Sequence, residues 1–359
     1  MPALQRKKME NLLKSPDLWE NLKASRLPVV LYGIGNGADK IIKVLADKGI
    51  SFVGVFSSDS FERKGKTFHG FPVLTLGALE EKYGKLTVLM CFGSSRPEVI
   101  GNVKKIKQKH ILFAPDVPVY GDILFDRAFF KSTYKRHEAI YDMLTDETSK
   151  KTFKNIVNFK ISGDTDYLFD CETSLENAFT DILKLGENEV YLDLGAYRGD
   201  TVLQFLKYAP AYKKIYAVEP DNKTFLKLRE TTKDIRNIEC INACVSNESR
   251  VGTFSMNGSR GSNNSRGNMA VAYLTADDII KDNRVTYIKA DIEGAECDFL
   301  EGAGNIIKTN KPKMMISCYH RSDDLFKIPE AVMKLRNDYK IYMRHFPSVP
   351  AWDTVYLFV

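Results

Sequence analysis

Apolar positions recur along the chain in short blocks, separated by glycine turns and amphipathic stretches, and the blocks fall into two groups. The first group begins at Leu27. In LPVVLYGIGNGADKIIKVLADKGISFVGVFSSD, Val29 to Tyr32 is a short apolar run of the kind a strand buried on both faces needs. Ile41, Ile42 and Leu45 then recur at helical spacing within Ala38 to Lys48. The pattern predicts strand, glycine turn, helix, strand, which is one right-handed βαβ unit. Further strands are expected at Leu86–Phe92 and Ile111–Ala114, with a helix over Glu98–Lys109 between them. Ahead of this group, residues 4–25 read as an amphipathic helix through Leu4, Leu12, Leu13, Leu18, Trp19 and Leu22, packing on its own chain or on a second copy.

From Arg127 to Lys184 the pattern turns helical, broken at Gly163-Asp164, and reads as a bridge and lid between two sheets. The second group starts at Val190. EVYLDLGAYRGDTVLQFLKYA is again strand, glycine turn, helix, and KKIYAVEPDNKTFLKLRETT repeats the theme with an acid at the strand end. Strands are expected at Ile238–Ala243, Gly252–Met256, Tyr287–Asp291, Lys313–Cys318, Lys340–His345 and Thr354–Val359, about eight in this group. The last two are adjacent, joined by FPSVPAWD, so the sheet should close with an antiparallel pair. The expected fold class is α/β: an N-terminal helix over 1–26, a Rossmann-like domain over 27–126, a helical bridge over 127–185 and a second Rossmann-like domain over 186–359.

Composition narrows the class. At 359 residues the chain has room for about two domains, and its 44% hydrophobic and 27% charged residues are those of a globular protein. No window approaches the roughly 20 continuous apolar residues that span a bilayer, and the basic N-terminus is followed by no apolar run, so neither a membrane anchor nor a secretory signal is expected. The six cysteines form no CxxC pair and read as reduced thiols of a cytoplasmic protein. The net charge of +6 is spread along the chain and forms no basic stripe, so nucleic-acid binding draws no support.

Two glycine turns carry the candidate chemistry. The first, Gly33-Ile34-Gly35-Asn36-Gly37-Ala38, fits GxGxxA through Gly33, Gly35 and Ala38, with Asp59 after the second strand. Such a turn admits a pyrophosphate against the backbone at a helix N-terminus. A nucleotide or nucleotide-sugar there, or a Rossmann shell kept for docking or pairing of subunits, both fit. The run GKTFHGFPVLTLGALEEKYG resembles the N-terminal domain of sugar-modifying acyltransferases, which holds a nucleotide-sugar. The second turn, YLDLGAYRGDT, ends its strand at Asp193, opens its loop with Gly195 and Gly199, and offers Asp200 and Thr201 to cap the next helix. Glu219 stands 26 positions after Asp193, at the end of the next strand, where a carboxylate can accept both hydroxyls of a ribose. With no GK[ST] to cradle phosphates, adenosine with a short amino-acid tail fits this spacing better than a pyrophosphate.

EVYLDLGAYRGDT, VEPDN, YIKADIEGAECDFLEGA, SCYHRSDDLFKIP and YKIYMRHF, in that order, resemble the FkbM family of S-adenosylmethionine-dependent methyltransferases over about residues 165–359. The resemblance implies a class I methyltransferase fold, a mixed seven-stranded sheet ending in an antiparallel hairpin, and O-methylation of a sugar or polyketide hydroxyl. It assigns the cofactor to Asp193, Gly195, Ala196, Gly199, Asp200, Thr201, Glu219, Asn222 and Ala243. Asp291 is the strongest catalytic candidate, with His320 the best general base by residue type and Glu293 beside them. Asp291, Glu293 and His320 are also a ligand set that suits magnesium or manganese. Arg321, Arg344 and His345 can read an anionic acceptor, and Tyr197 and Trp352 can stack on a sugar face. The polar loop at 258–268, with Arg260 and Arg266, reads as a lid or a solvated loop. The function expected is O-methylation of a sugar or glycan precursor in the cytoplasm, by a chain that pairs as a homodimer. The alternatives are a nicotinamide-dependent oxidoreductase using the first turn, and a non-catalytic nucleotide-binding scaffold.

Overall fold

The computed structural model describes residues 13, 15–58, 65–254, 269–280 and 284–359. Of the helix expected over 4–25, the described part is Leu18–Ala24, started by Asp17, whose carboxylate accepts from the backbone of Trp19 and Glu20. Its apolar face, Leu18, Trp19 and Leu22, is buried against Val29, Leu31, Ile41 and Leu45 of the same chain.

The first sheet holds β1 (Val29–Tyr32), β2 (Gly54–Phe56), β3 (Thr67–Phe68), β4 (Phe71–Leu74), β5 (Thr87–Met90) and β6 (Ile111–Phe113), in the order β3-β4-β2-β1-β5-β6. All neighbours pair in parallel except β3 and β4. The short β3–β4 ribbon was not among the expected strands: β3 is two residues long, and the apolar run of β4, Phe71–Leu74, is interrupted by Pro72. The helix Asn36–Asp47 lies so close to the sheet that a Cβ on Gly37 would sit 2.2 Å from the carbonyl oxygen of Cys91. Gly37→Ala should therefore lower the unfolding free energy by about 1–3 kcal/mol, the usual cost of overpacking; a thermal melt unchanged from wild type would show that the helix moves aside freely.

Residues 127–183 form helices Arg127–Met143, Glu147–Ser162 and Asp166–Cys171, then a short turn running into a π-helical segment, Ala178–Leu183. Gly163, at φ +66°, ends the second of these where the sequence broke. This region is packed into the core through Phe130, Phe153, Ile156 and Phe159, as a bridge is and a lid is not. It ties the two sheets together: Lys160 pairs with Asp116 at 2.7 Å with both side chains buried, and the Met343 backbone donates to Ser149 Oγ.

The second part carries ten strands among the described residues: β7 (Val190–Leu194), β8 (Lys214–Val218), β9 (Ile238–Ile241), β10 (Ala243–Val245), β11 (Arg250–Phe254), β12 (Met269–Leu274), β13 (Tyr287–Ala290), β14 (Lys313–Ser317), β15 (Ile341–His345) and β16 (Thr354–Phe358). Seven make the main sheet, β15-β16-β14-β13-β7-β8-β9, parallel except for β16, which runs antiparallel to both its neighbours. The antiparallel closing pair expected from adjacent strands is thus present. The remaining three form a separate sheet, β10-β12-β11: the single strand expected over Ile238–Ala243 is split between β9 and β10, and β12 was not among the expected strands. The order reverses direction between β13 and β7, and in an open α/β sheet the crevice at that switch point, beyond the strands' carboxyl ends, is where ligands bind. No helix among the described residues is long and apolar enough to cross a membrane.

Candidate active site

The glycine turn after β7 and the acidic loop after β8 meet at this switch point. Gly195, at φ +77°, has no room for a side chain, because a Cβ there would lie 2.0 Å from the Asp291 carbonyl oxygen. The turn is held by Gly195 and Ala196 backbone N–H groups donating to Val218. The helix that follows, Asp200–Tyr208, begins at Gly199, whose φ of +92° supplies the turn. Asp200 and Thr201 therefore do not cap it. Asp200 sits exposed in its first turn, while Thr201 Oγ1 donates to Asp193 Oδ2 at 2.5 Å.

Asp193 is fully buried beside Lys289, whose Nζ lies 3.6 Å from Asp193 Oδ1 and donates to the Gly195 carbonyl at 2.9 Å. Lys289 escaped the sequence reading, although a lysine inside the apolar strand YIKA was a usable signal. It makes the floor of the turn nearly neutral, and among the described residues no donor comes within hydrogen-bond distance of the buried Asp193 Oδ1. Burial raises the Asp193 pKa, against the opposing pull of Lys289 and Thr201.

Glu219 is the second fixed group. Its Oε2 accepts from the Tyr197 backbone at 3.1 Å and its Oε1 from the Asp221 backbone at 2.9 Å. Each oxygen keeps a lone pair for a further donor. Burial pushes its pKa up to about 7, against those two hydrogen bonds. Asn242 donates to the carbonyls of Glu219 and Pro220 and so locks the loop. Asn222 is exposed at the start of the next helix, after the Asp221 cap. Ala243 follows the third strand of this part, β9, and lies buried at the start of β10. Tyr197 holds a left-handed backbone, φ +48°, with its ring partly exposed beside the turn.

Across the switch point, the loop after β13 carries Asp291, Glu293 and Glu296. Tyr319 donates its hydroxyl to Asp291 Oδ1 at 3.0 Å. His320 is wholly buried, with Nε2 at 3.3 Å from Asp291 and 3.8 Å from Glu293, and Nδ1 at 2.9 Å from the buried Glu296. Burial alone would lower its pKa, but Glu296 above all, with Asp291 and Glu293, raises it to about 10. An imidazolium so enclosed can neither reach an acceptor nor accept its proton, so the general-base reading of His320 gives way to one of support for Asp291. Asp291 is pulled the other way: burial would raise its pKa, yet Lys289, His320 and the Tyr319 and Ser317 hydroxyls hold it below the usual carboxylate range. Asp291, Glu296 and His320 bring ligand atoms within 4.8 Å of one another. The two ring nitrogens face different carboxylates, however, so a cation at Nε2 would engage Asp291 and Glu293 but not Glu296.

The remaining expectations divide. Arg321 does lie beside this loop, but its Nε donates to the Gly294 carbonyl and its guanidinium sits 4.3 Å from the centre of the Tyr120 ring. Arg344 and His345 leave the set facing an acceptor. Arg344 is buried in a fork with Asp146 and Ser149, and His345 is buried against Thr354, with burial lowering its pKa to about 4. Arg344→Ala should cost stability, about 1.5–3 kcal/mol for removing a charge-assisted fork from the half-buried Asp146, and leave cofactor affinity unchanged; a changed affinity at equal fold would put Arg344 back at the site. Asp59 and the loop 258–268, with Arg260 and Arg266, lie outside the described residues.

The first glycine turn has a different setting. Gly33 lies against Phe92, and Gly35 begins the helix that packs through Ala38. Next to it, at the carboxyl end of β5, the loop between β15 and β16 abuts the turn: the Ser94 and Val349 backbones exchange two hydrogen bonds, and a Cβ on Gly93 would sit 2.1 Å from the Trp352 ring. Trp352 is therefore engaged with the first domain. Lys40 on the same helix donates to the carbonyls of Pro118 and Val119 and lies within the field of Glu293, so the first domain borders the second domain's site.

Residues 193–341 match the family model described as methyltransferase FkbM domain. A crystal structure of methyltransferase FkbM from Methylobacillus flagellatus superposes on all of this chain over all of its own length, with a TM-score of 0.74 at 20% identity, so the fold of the whole chain is shared. Precorrin-6y C5,15-methyltransferase from Geobacter metallireducens covers 51% of this chain with 85% of its own, at 13% identity and a TM-score of 0.35. Aeropyrum pernix fibrillarin, solved with S-adenosyl-L-methionine, covers 51% with 73% of its own, at 15% identity and a TM-score of 0.33. Scores that low give these two no weight for this chain. No curated protein matches it.

Proposed function

We propose, from the premise that residues 193–341 are a methyltransferase FkbM domain, that the chain transfers a methyl group from S-adenosylmethionine to a hydroxyl of a sugar or glycan precursor. The observation that carries the reading is the pairing of Glu219, fixed by two backbone donors, with a turn at Gly195 in which no Cβ fits. That pairing suits a nucleoside: the carboxylate accepts from the ribose hydroxyls and the bare turn lets the amino-acid tail approach the backbone. Asp193, Ala196, Gly199 and Thr201 shape the same cradle.

When bound, S-adenosylmethionine supplies a methyl carbon on a sulfonium, a leaving group already activated by its charge. The chain's own task is then alignment, which can supply about 7–11 kcal/mol of a barrier. Asp291, at the mouth of the site, orients the acceptor hydroxyl and takes its proton as the new C–O bond forms. His320 and Tyr319 hold the Asp291 carboxylate in place and ionised. Calorimetric titration with S-adenosylmethionine, S-adenosylhomocysteine, NAD and a UDP-sugar tests the reading. Micromolar binding of the two adenosyl ligands is expected; their failure to bind, or preference for NAD, would overturn it.

A further inference from the structure

The sulfur of S-adenosylmethionine has three arms. With the adenosyl arm gripped at Glu219 and the methyl facing Asp291, the amino-acid arm is left to the space between the glycine turn and Asp291. A cavity of about 110 Å³ joins these two. Thr201 and Gln204, on the helix that follows the turn, line it together with Lys289 and Asp291, and no residue of the Glu219 loop does. Lys289 is the one cationic side chain in that wall among the described residues. It rises from β13, nearly buried, and uses one of its three N–H groups at hydrogen-bond distance, on the Gly195 carbonyl at 2.9 Å. Asp193 Oδ1 stands off at 3.6 Å. The ammonium is thus held in place with donors still open. Burial would lower its pKa, but Asp193, Asp291 and Asp200 together raise it, so the group stays charged. The other cations bordering the site are committed: His320 to Glu296 and Asp291, Arg321 to the Gly294 carbonyl and the Tyr120 ring, Lys40 to the carbonyls of Pro118 and Val119.

We infer that Lys289 Nζ binds the α-carboxylate of the cofactor's amino-acid arm, so that one side chain ties the turn, through Gly195, to the ligand the turn carries. The inference rests on the methyl-transfer reading and adds a binding residue to it. A carboxylate that enters a partly dry cavity needs a cation beside it, because a buried charge left unpaired is costly. The arm's own α-ammonium travels with the carboxylate, so the arm brings no net charge to a wall that holds both signs. Hydrogen bonds between two ionised groups are the strong ones, and Lys289 offers this one from a position fixed before the cofactor arrives.

The test uses the full chain and compares S-adenosylmethionine with its decarboxylated form, which keeps the adenosyl group, the methylsulfonium and the amine and lacks only the carboxylate. Calorimetry on wild type should show the carboxylate-bearing ligand favoured by about tenfold or more, as one charge-assisted hydrogen bond implies. In Lys289→Gln that preference should fall to about threefold or less. The ratio is read within each protein, so a loosened turn that weakens both ligands alike does not move it. Lys289→Gln leaves Asp193 buried without its cation, so a thermal melt accompanies it; if it does not fold, the double variant Asp193→Asn, Lys289→Gln, which removes both charges, takes its place, and if neither folds the wild-type ratio decides. A wild-type ratio near one would overturn the inference. So would a preference that survives intact without the lysine, which would put the carboxylate on the backbone donors of the turn. If S-adenosylmethionine itself does not bind wild type, the methyl-transfer reading has failed and the inference falls with it.

Discussion

Glu219→Ala raises the dissociation constant for S-adenosylmethionine and S-adenosylhomocysteine by at least about a hundredfold, because it removes the acceptor of two charge-assisted hydrogen bonds worth roughly 1.5–3 kcal/mol each. The carboxylate needs no rearrangement to make them: Tyr197 and Asp221 already fix both oxygens, and Asn242 fixes the loop behind them. Its pKa adds a signature that a loss of fold would not reproduce. With burial holding Glu219 at about 7, the free site is ionised above that pH and gains a proton as pH falls through it. The ribose hydroxyls need the ionised form, so affinity in wild type should be highest above pH 7 and fall by about tenfold at pH 6. Glu219→Ala should lose that dependence along with the affinity. Calorimetry at both pH values, with a thermal melt to check the fold, decides it; an Ala variant that binds within threefold of wild type removes the ribose grip from the site.

How much of this was legible in the sequence depended on where the physics was local. The glycine turn and Glu219 could be read because each sits at the end of an apolar strand, and parallel neighbours bring such ends together. The same logic located Asp291. What the sequence did not reveal was environment. His320 looked like a base by residue type, and only its enclosure by Glu296, Asp291 and Glu293 shows a buried cation in a supporting role. Arg344 and His345 looked like readers of an anion because they end a strand, but β15 is the sheet edge covered by the bridge, and Asp146 lies on that bridge. Trp352 looked like a platform for a sugar face, but its ring packs on Gly93 at the end of β5, more than two hundred residues away in sequence.

Asp291→Asn should lower kcat by about a hundredfold to ten-thousandfold, the range for removing a positioned proton acceptor, while leaving S-adenosylmethionine affinity within about threefold of wild type, since uniform binding and transition-state stabilisation separate in such a change. The direction of the pKa shift says when the proton moves. A carboxylate held below its usual range by Lys289 and His320 is too weak a base to ionise a sugar hydroxyl beforehand. It hydrogen-bonds that hydroxyl and accepts the proton late, once methylation has made the oxygen strongly acidic. Asp291 therefore stays ionised throughout the neutral range, and kcat should show no ionisation of it between pH 6 and 9. Were His320 the base, with its pKa near 10, the rate would climb toward that value as the ring lost its proton. A flat profile in wild type, with kcat lost in Asp291→Asn, assigns the proton to Asp291. A profile rising toward pH 10, or an Asn variant with wild-type kcat, would return it to His320.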